Sequence, residues 1–282
     1  MRGIKLPILL ASLTVALVAA CGGGSTSSGP GQALRPSGAT VLTGKITVFA
    51  AASLTDAFSE IGAAFEVKNR GLSLEFNFAG SPVLRTQLEQ GARADVYASA
   101  DTVQMANAVQ SGVVAGPGTV FVRNSLVLIT PSDNPGRITV PADLAKPGLK
   151  LVLANKDVPA GNYAHQVLAL MEKDPSIGAG FSNRVLKNLV SEESDVKQVV
   201  AKVQLGEADA GVVYGTDVTP SVAHKLKTVA VPAQFNVKAE YLIAPVKGAS
   251  NPAAAQGFID FVLSSDGQAI LKRFGFQTLT PS

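Results

Sequence analysis

The stretch that decides the fold is Ile46-Thr-Val-Phe-Ala-Ala-Ala-Ser-Leu-Thr-Asp-Ala-Phe58. Its first seven residues, 46–52, form a short apolar run, which predicts a buried strand. Apolar residues then recur at helical spacing, at Leu54, Phe58, Ile61 and Phe65. Ser53 stands at the junction, with Asp56 three residues further on, so we expect a capping box in which Ser53 is the N-cap. The stretch therefore predicts a strand followed at once by a helix.

Strand and helix patterns alternate along the rest of the chain. The further predicted strands cover residues 72–78, 95–99, 125–130, 149–155, 210–214, 228–231 and 240–245. The further predicted helices begin at Ser81 and cover residues 102–111, 161–174, 194–206, 251–264 and 265–274. This order predicts an α/β protein in which helices flank mostly parallel sheets. A chain of 282 residues is long enough for two such lobes.

The N-terminus has the pattern of an export signal. Residues 1–20 combine a basic start at Arg2 and Lys5 with an uncharged apolar run, which predicts a secretory signal peptide. The run ends in small residues followed by Cys21, the single cysteine, and this resembles a bacterial lipobox. We expect cleavage before Cys21 and lipid on that residue. Residues 21–44, rich in Gly, Ser, Thr and Pro, are expected to form a flexible tether.

Composition excludes several classes of function. The chain has 24 Lys and Arg against 21 Asp and Glu, which argues against a strongly basic nucleic-acid binder. One Cys excludes an intramolecular disulfide and a Cys-based zinc cluster, and two His leave little room for a His-rich metal site. There is no G-x-S-x-G elbow, H-E-x-x-H, P-loop or strand-linked G-x-G-x-x-G sequence. We therefore expect neither an enzyme nor a cofactor.

Several helix starts share small or hydroxyl-bearing residues. They are Ser53, Gly80-Ser81-Pro82, Pro159-Ala160-Gly161 and Ser194-Asp195-Val196. Each is explained by ordinary capping when it is considered alone. If several of these starts converge on one cleft, their free N–H groups and hydroxyls form an anion site that needs no Lys or Arg. The residue pattern alone leaves both interpretations open.

The same junctions carry a family resemblance. The stretch from Ile46 to Phe58 resembles the first strand and helix of periplasmic molybdate-binding proteins of ABC transporters. The likeness returns in residues 78–101, Asn124-Ser-Leu-Val-Leu128, Val158-Pro-Ala-Gly-Asn-Tyr-Ala164, residues 206–217 and Lys272-Arg-Phe-Gly-Phe276. It covers about residues 45–277, and several motifs in the same order make it specific.

The resemblance implies a type II periplasmic binding protein with two α/β lobes and the ligand between them. One lobe would comprise residues 45–124 and 242–282, and the other residues 125–241, with chain crossings near Asn124 and Tyr241. The residues that bind the oxyanion in this family would correspond to Ser53, Ser81, Ala160, Val196 and Tyr214. Where family members often have consecutive serines, this chain has only Ser81, and Pro82 lacks a backbone N–H.

The implied function is capture of molybdate, and of tungstate, for delivery to an ABC permease. The protein would be an extracytoplasmic monomer anchored to the cell membrane through Cys21. Alternatives are a receptor for sulfate or another tetrahedral oxyanion, an anchored α/β enzyme, and the sensor domain of a regulator. An iron-binding relative would typically use adjacent Tyr residues, and the four Tyr of this chain are never adjacent.

Overall fold

The computed structural model describes residues 41–279. The predicted signal peptide, Cys21 and all but the last residues of the tether lie outside this range. The described strands are β1 Gly44–Ala51, β2 Leu72–Ala79, β3 Val96–Ser99, β4 Thr119–Asn124, β5 Leu126–Pro131, β6 Leu151–Ala154, β7 Leu189–Glu193, β8 Ala210–Tyr214, β9 Leu226–Ala230, β10 Ala239–Pro245 and β11 Gln277–Thr278. The described helices are α1 Thr55–Lys68, α2 Ser81–Glu89, α3 Thr102–Gln110, α4 Pro159–Glu172, α5 Phe181–Leu186, α6 Val196–Gln204, α7 Pro220–Ala223, α8 Pro252–Leu263 and α9 Ser265–Arg273.

The strands form two sheets, one in each lobe. The first has the order β11-β4-β10-β3-β1-β2, and the second has the order β7-β6-β8-β5-β9. The prediction of a two-lobed α/β protein is confirmed. The sheets, however, are mixed rather than mostly parallel, because β10 runs antiparallel to β3 and β4, and β5 runs antiparallel to β8 and β9. A buried apolar run predicts a strand without giving its direction, so these reversals left no local signal.

The chain passes between the two sheets in two places. Ser125 alone separates β4 from β5, and residues 231–238 connect β9 back to β10. Residues 239–241, expected in the second lobe, lie in a strand of the first sheet. The two crossing segments are joined because the Asn236 side chain accepts from the Leu126 N–H at 3.0 Å and donates to its carbonyl at 2.9 Å.

Apolar side chains pack around both sheets in one continuous cluster that includes residues of the two lobes. In the first lobe the Phe58 ring lies 5.7 Å from Phe121 and 5.8 Å from Phe258, between ring centroids. The predicted buried face of α1 is confirmed, because Leu54, Phe58, Ile61 and Phe65 are all buried. In the second lobe the buried face of α6 is equally apolar and consists of Val196, Val199, Val200 and Val203. Among the described residues, no helix is both long and apolar enough to cross a membrane.

Candidate functional site

The five site residues expected from the resemblance line one cavity. Two come from the first lobe, Ser53 and Ser81, and three from the second, Ala160, Val196 and Tyr214. The remaining lining residues are Ala51, Ala52, Gly80, Ala100, Val158, Pro159 and Asp195. The cavity has a volume of about 10 Å³, far below the roughly 300–1,000 Å³ of pockets for drug-sized ligands, so it has room only for a small group.

Ser53 does not cap α1, contrary to the sequence prediction. A short 3-10 turn, Ala52–Leu54, comes between β1 and α1, and Leu54 is the N-cap. The Ser53 hydroxyl instead forms a hydrogen bond of 2.9 Å with the Tyr241 hydroxyl. The extra turn carries Ser53 away from the end of α1 and into the cavity wall.

Ser81 is the first residue of α2 rather than its N-cap, which is Gly80. Its hydroxyl oxygen accepts the Ala100 N–H at 3.2 Å, and its carbonyl accepts the Tyr97 hydroxyl at 3.0 Å. The Ser81 hydroxyl hydrogen therefore remains available to a ligand. Pro82 follows within the first turn, where the missing N–H costs the helix nothing.

The second lobe contributes the first turns of α4 and α6. Ala160 is the second residue of α4 and Val196 is the first residue of α6, so the helices themselves leave both N–H groups unused. Helix α4 can begin so close to β6 because residue 161 is glycine. A Cβ on Gly161 would lie 2.2 Å from the carbonyl oxygens of both Ala154 and Asn155.

Charge in the cavity wall is limited to Asp195 among the lining residues of the described chain. Its carboxylate caps α6, accepting the Gln198 N–H at 3.1 Å and the Gln198 side-chain amide at 2.8 Å. Both oxygens are thus committed to donors of the same helix. No Lys, Arg or His is among the described residues that line the cavity.

Tyr214 closes the cavity from the end of β8. It is buried, and its hydroxyl has no hydrogen-bond partner within the part of the chain that the structure describes. Burial raises the pKa of Tyr214 well above its ordinary value, and the neighbouring Tyr241 adds to the shift. The phenol therefore stays protonated and offers an unused donor in the cavity wall.

The two lobes touch each other around the cavity. The Lys197 ammonium of α6 lies 2.8 Å from the Asp56 carboxylate of α1. On another side the Gln104 side chain of α3 donates to the Asp157 carbonyl at 2.9 Å. Gly80 lies directly against the backbone of Ser194. These contacts join elements that belong to different lobes.

The described residues around this cavity include neither a serine–histidine pair nor a metal-binding cluster. His165 and His224 lie outside its wall, and no hydrogen bond joins either to a serine within residues 41–279. No cluster of three or more His, Cys, Asp or Glu side chains suited to a metal ion occurs in the described range.

Sequence reasoning missed Tyr241 and Asn124, which stand behind Ser53. Tyr241 lies in the middle of β10, and its partner Ser53 is 188 positions away in the chain. A local pattern carries no signal for such a contact. The available signal was the motif Asn124-Ser-Leu-Val-Leu128, which carries part of the family resemblance without giving a role to Asn124.

Comparison with known proteins agrees with the motifs. Residues 46–277 match the family described as bacterial extracellular solute-binding protein. The chain is 40% identical to the molybdate-binding protein ModA of Mycobacterium bovis over 268 residues, 95% of each chain. It is 34% identical to the molybdate-binding protein ModA of Escherichia coli over 240 residues, 83% of this chain and 89% of that protein.

A solved structure gives the same result. The substrate-binding domain of a putative molybdenum ABC transporter from Clostridium difficile superposes with a TM-score of 0.61 at 30% identity. The match covers 84% of this chain and 99% of that one. The family resemblance predicted from the motifs is confirmed, and the chain belongs to the bacterial extracellular solute-binding proteins.

Proposed function

We propose that this protein captures molybdate outside the cytoplasm and delivers it to an ABC permease. The observation that carries the proposal is the cavity itself. Residues from both lobes meet there as hydrogen-bond donors, and the described lining contains no cationic side chain. The ModA relatives at 40% and 34% identity support the same ligand.

The donor set suits a fully ionised oxyanion. Molybdate is a tetrahedral dianion with no proton to donate at neutral pH, so every oxygen can accept. The hydroxyls of Ser81 and Tyr214 and the N–H groups of Ala160 and Val196 are available as donors, and the Ser53 hydroxyl joins them when its oxygen accepts from Tyr241. A protonated phosphate also needs an acceptor, and the Asp195 carboxylate is engaged in capping α6. An oxyanion hydroxyl facing this wall would find only neutral hydroxyl oxygens among these side chains, and they accept more weakly than a free carboxylate.

Size is the remaining basis for selectivity. Sulfate has the shape and charge of molybdate but is smaller, so it would reach fewer of the donors at one time. Tungstate is close to molybdate in size and charge, and we expect it to bind nearly as well. Sulfate is the principal alternative ligand, and the experiment below separates the two.

Ligand binding would couple the two lobes. An anion held by Ser53 and Ser81 on one side and by Ala160, Val196 and Tyr214 on the other contacts both lobes only when they are together. The ligand then favours the closed arrangement by the difference in its affinity for the two arrangements. A permease could thereby distinguish loaded from empty protein.

The N-terminal pattern supports attachment to the membrane. We expect a lipid on Cys21 and a tether of residues 21–44 between this anchor and the folded part of the chain. We expect the protein to act as a monomer. Cys21→Ser should move the protein from the membrane fraction to the soluble extracytoplasmic fraction. A Cys21→Ser protein that stays in the membrane fraction would exclude the anchor.

A thermal-shift panel with molybdate, tungstate, sulfate and phosphate tests the ligand. A ligand that binds only folded protein stabilises it by mass action, by about 2.7 kcal/mol at a concentration of 100 Kd. We expect large shifts with molybdate and tungstate and small ones with the other two. Stabilisation by sulfate or phosphate without stabilisation by molybdate would overturn the proposed function.

A further inference from the structure

A line of three side chains leads from the first chain crossing to the cavity. Asn124 ends β4, beside the crossing residue Ser125, and its side-chain amide nitrogen lies 3.4 Å from the Tyr241 hydroxyl. The Tyr241 hydroxyl lies 2.9 Å from the Ser53 hydroxyl, which lines the cavity. Asn124 and Tyr241 are themselves buried and lie outside the cavity wall.

Backbone chemistry fixes the orientation of the Asn124 amide. Its oxygen accepts the Ser125 N–H at 2.9 Å, and a backbone N–H can only donate. The amide nitrogen must therefore point the other way, toward the Thr216 hydroxyl at 2.8 Å and the Tyr241 hydroxyl. Asn124 is thus a donor to Tyr241 and cannot take the phenol's proton.

Ser53 offers the Tyr241 proton its best-placed acceptor among the described residues. Asn124 is a donor, and the Tyr214 hydroxyl, which also adjoins Tyr241, forms no hydrogen bond with it in the structure. A buried phenol that left its O–H unpaired would lose a hydrogen bond that it makes in water. Burial raises the pKa of Tyr241 well above its ordinary value, so the proton is present throughout the physiological range.

We infer that Asn124 and Tyr241 are positioning residues that set the direction in which the Ser53 hydroxyl donates its hydrogen bond. Because the Ser53 oxygen accepts from Tyr241, its own hydrogen is free to donate to the anion. This inference rests on the proposed function and deepens it. Ser81 has the same arrangement, because its hydroxyl oxygen accepts the Ala100 N–H and its hydroxyl hydrogen is free to donate to the anion. Ser81 uses a backbone donor, whereas Ser53 depends on a side chain that mutation can remove.

Mutant cycles with molybdate, measured by calorimetry, test the inference. Tyr241→Phe should weaken binding by about three- to tenfold, and Ser53→Ala by about ten- to hundredfold. The Ser53→Ala/Tyr241→Phe double variant should bind within about twofold of Ser53→Ala alone, because Tyr241 acts through Ser53.

Ser81 supplies the matched control, since it lines the same cavity and its described hydrogen bonds go to Ala100 and Tyr97 rather than to Tyr241. The losses from Ser81→Ala and Tyr241→Phe should multiply. If Tyr241→Phe costs the same factor in the native, Ser53→Ala and Ser81→Ala backgrounds, the inference is overturned and the proposed function stands. If the native protein does not bind molybdate, the proposed function fails, and this inference fails with it.

A second variant tests polarity without removing Tyr241. Asn124→Asp has nearly the same size but turns the donor into an acceptor, so the Tyr241 proton should move to residue 124. Ser53 would then donate to Tyr241 instead of to the ligand. We expect an affinity loss at least equal to that of Tyr241→Phe, which repulsion between the new carboxylate and the dianion would enlarge, and native affinity in Asn124→Asp would contradict the inference.

Discussion

Gly80 of the first lobe packs against the Ser194 carbonyl of the second lobe so closely that no side chain fits between them. A Cβ on residue 80 would lie 2.2 Å from that oxygen. The φ angle of Gly80 is −58°, which any residue can adopt. The glycine is therefore required by the opposite lobe and not by its own backbone conformation. Its position as the N-cap of α2 places this contact at the edge of the cavity.

Gly80→Ala should weaken molybdate binding by about tenfold or more, because overlap of this kind typically costs 1–3 kcal/mol. The methyl group opposes only the arrangement in which the lobes meet, so the melting temperature of ligand-free protein should change little. Gly215→Ala is the matched control, since a Cβ there meets nothing closer than 3.9 Å. Native affinity in Gly80→Ala, measured by calorimetry, would show that binding does not require this contact.

The Asp56–Lys197 ion pair is expected to favour the same arrangement. The two side chains are 46% and 31% exposed, so solvent screens the pair and its contribution is small. Lys197→Met should weaken molybdate binding by about two- to fivefold at low salt, and the difference from native protein should shrink as NaCl rises.

Asp56→Asn distinguishes an inter-lobe contact from simple attraction of an anion by Lys197. If the pair holds the lobes together, Asp56→Asn weakens binding as Lys197→Met does. If Lys197 merely attracts the dianion, removing the nearby carboxylate strengthens binding. Lys68→Met breaks an ion pair with Asp266 inside the first lobe and should leave affinity unchanged.

Asp217 should make stability depend on pH. Burial raises the pKa of this carboxyl group from an ordinary value of 3.8 to about 7, although Lys197 and the Tyr214 N–H partly oppose the shift. Between about pH 4 and pH 7 the folded protein binds a proton that the unfolded chain has lost. The free energy of unfolding therefore falls as pH rises through this window and levels off above it.

Asp217→Asn should reduce that fall, because residue 217 is then neutral at every pH. A smaller slope should remain from Asp101, whose pKa burial raises to about 6. Denaturation curves between pH 4 and pH 8 provide the measurement, with Asp133→Asn, an exposed carboxylate, as control. Equal slopes in native protein and Asp217→Asn would contradict the assignment.

The sequence was informative wherever the signal was local. Apolar spacing located α1 and α6 with their buried faces, and small residues after strands located the segments that meet at the cavity. Helix α5 is only six residues long, too short for a clear period, and the sequence did not predict it, nor did it predict α7, β4, β7 and β11. The sequence also did not predict strand direction, because a buried apolar run has the same pattern in a parallel and in an antiparallel strand.

Non-local contacts account for the errors at the site. Serine is a residue type that favours N-caps, but the Ser53 hydroxyl forms a hydrogen bond with Tyr241, which lies in a strand far along the chain. Gly80 has no conformational signature, because its requirement comes from Ser194 in the other lobe. The Ser53–Tyr241 contact forms only when the first lobe folds, and the Gly80–Ser194 contact forms only when the two lobes come together. A single sequence therefore predicts which segments reach the site more readily than what each side chain does there.

The backbone N–H of Val196 can be tested by proline substitution. Val196 is the first residue of α6, a position that favours proline because the helix does not use that N–H. The preceding Asp195 has φ −156° and ψ 169°, an extended conformation compatible with a following proline. Val196→Pro should therefore keep the helix and remove one donor from the cavity. We expect molybdate affinity to fall by about tenfold or more, as for a hydrogen bond to a charged group.

Val196→Ala gives the opposite pattern and completes the test. It retains the N–H but removes two buried methyl groups from a side chain that is 3% exposed. Stability should fall by about 2 kcal/mol while affinity stays near the native value. Calorimetry and thermal denaturation of both variants separate the two roles. If Val196→Pro binds molybdate as the native protein does, the backbone of residue 196 is not a ligand, and the second lobe holds the anion through Ala160 and Tyr214 alone.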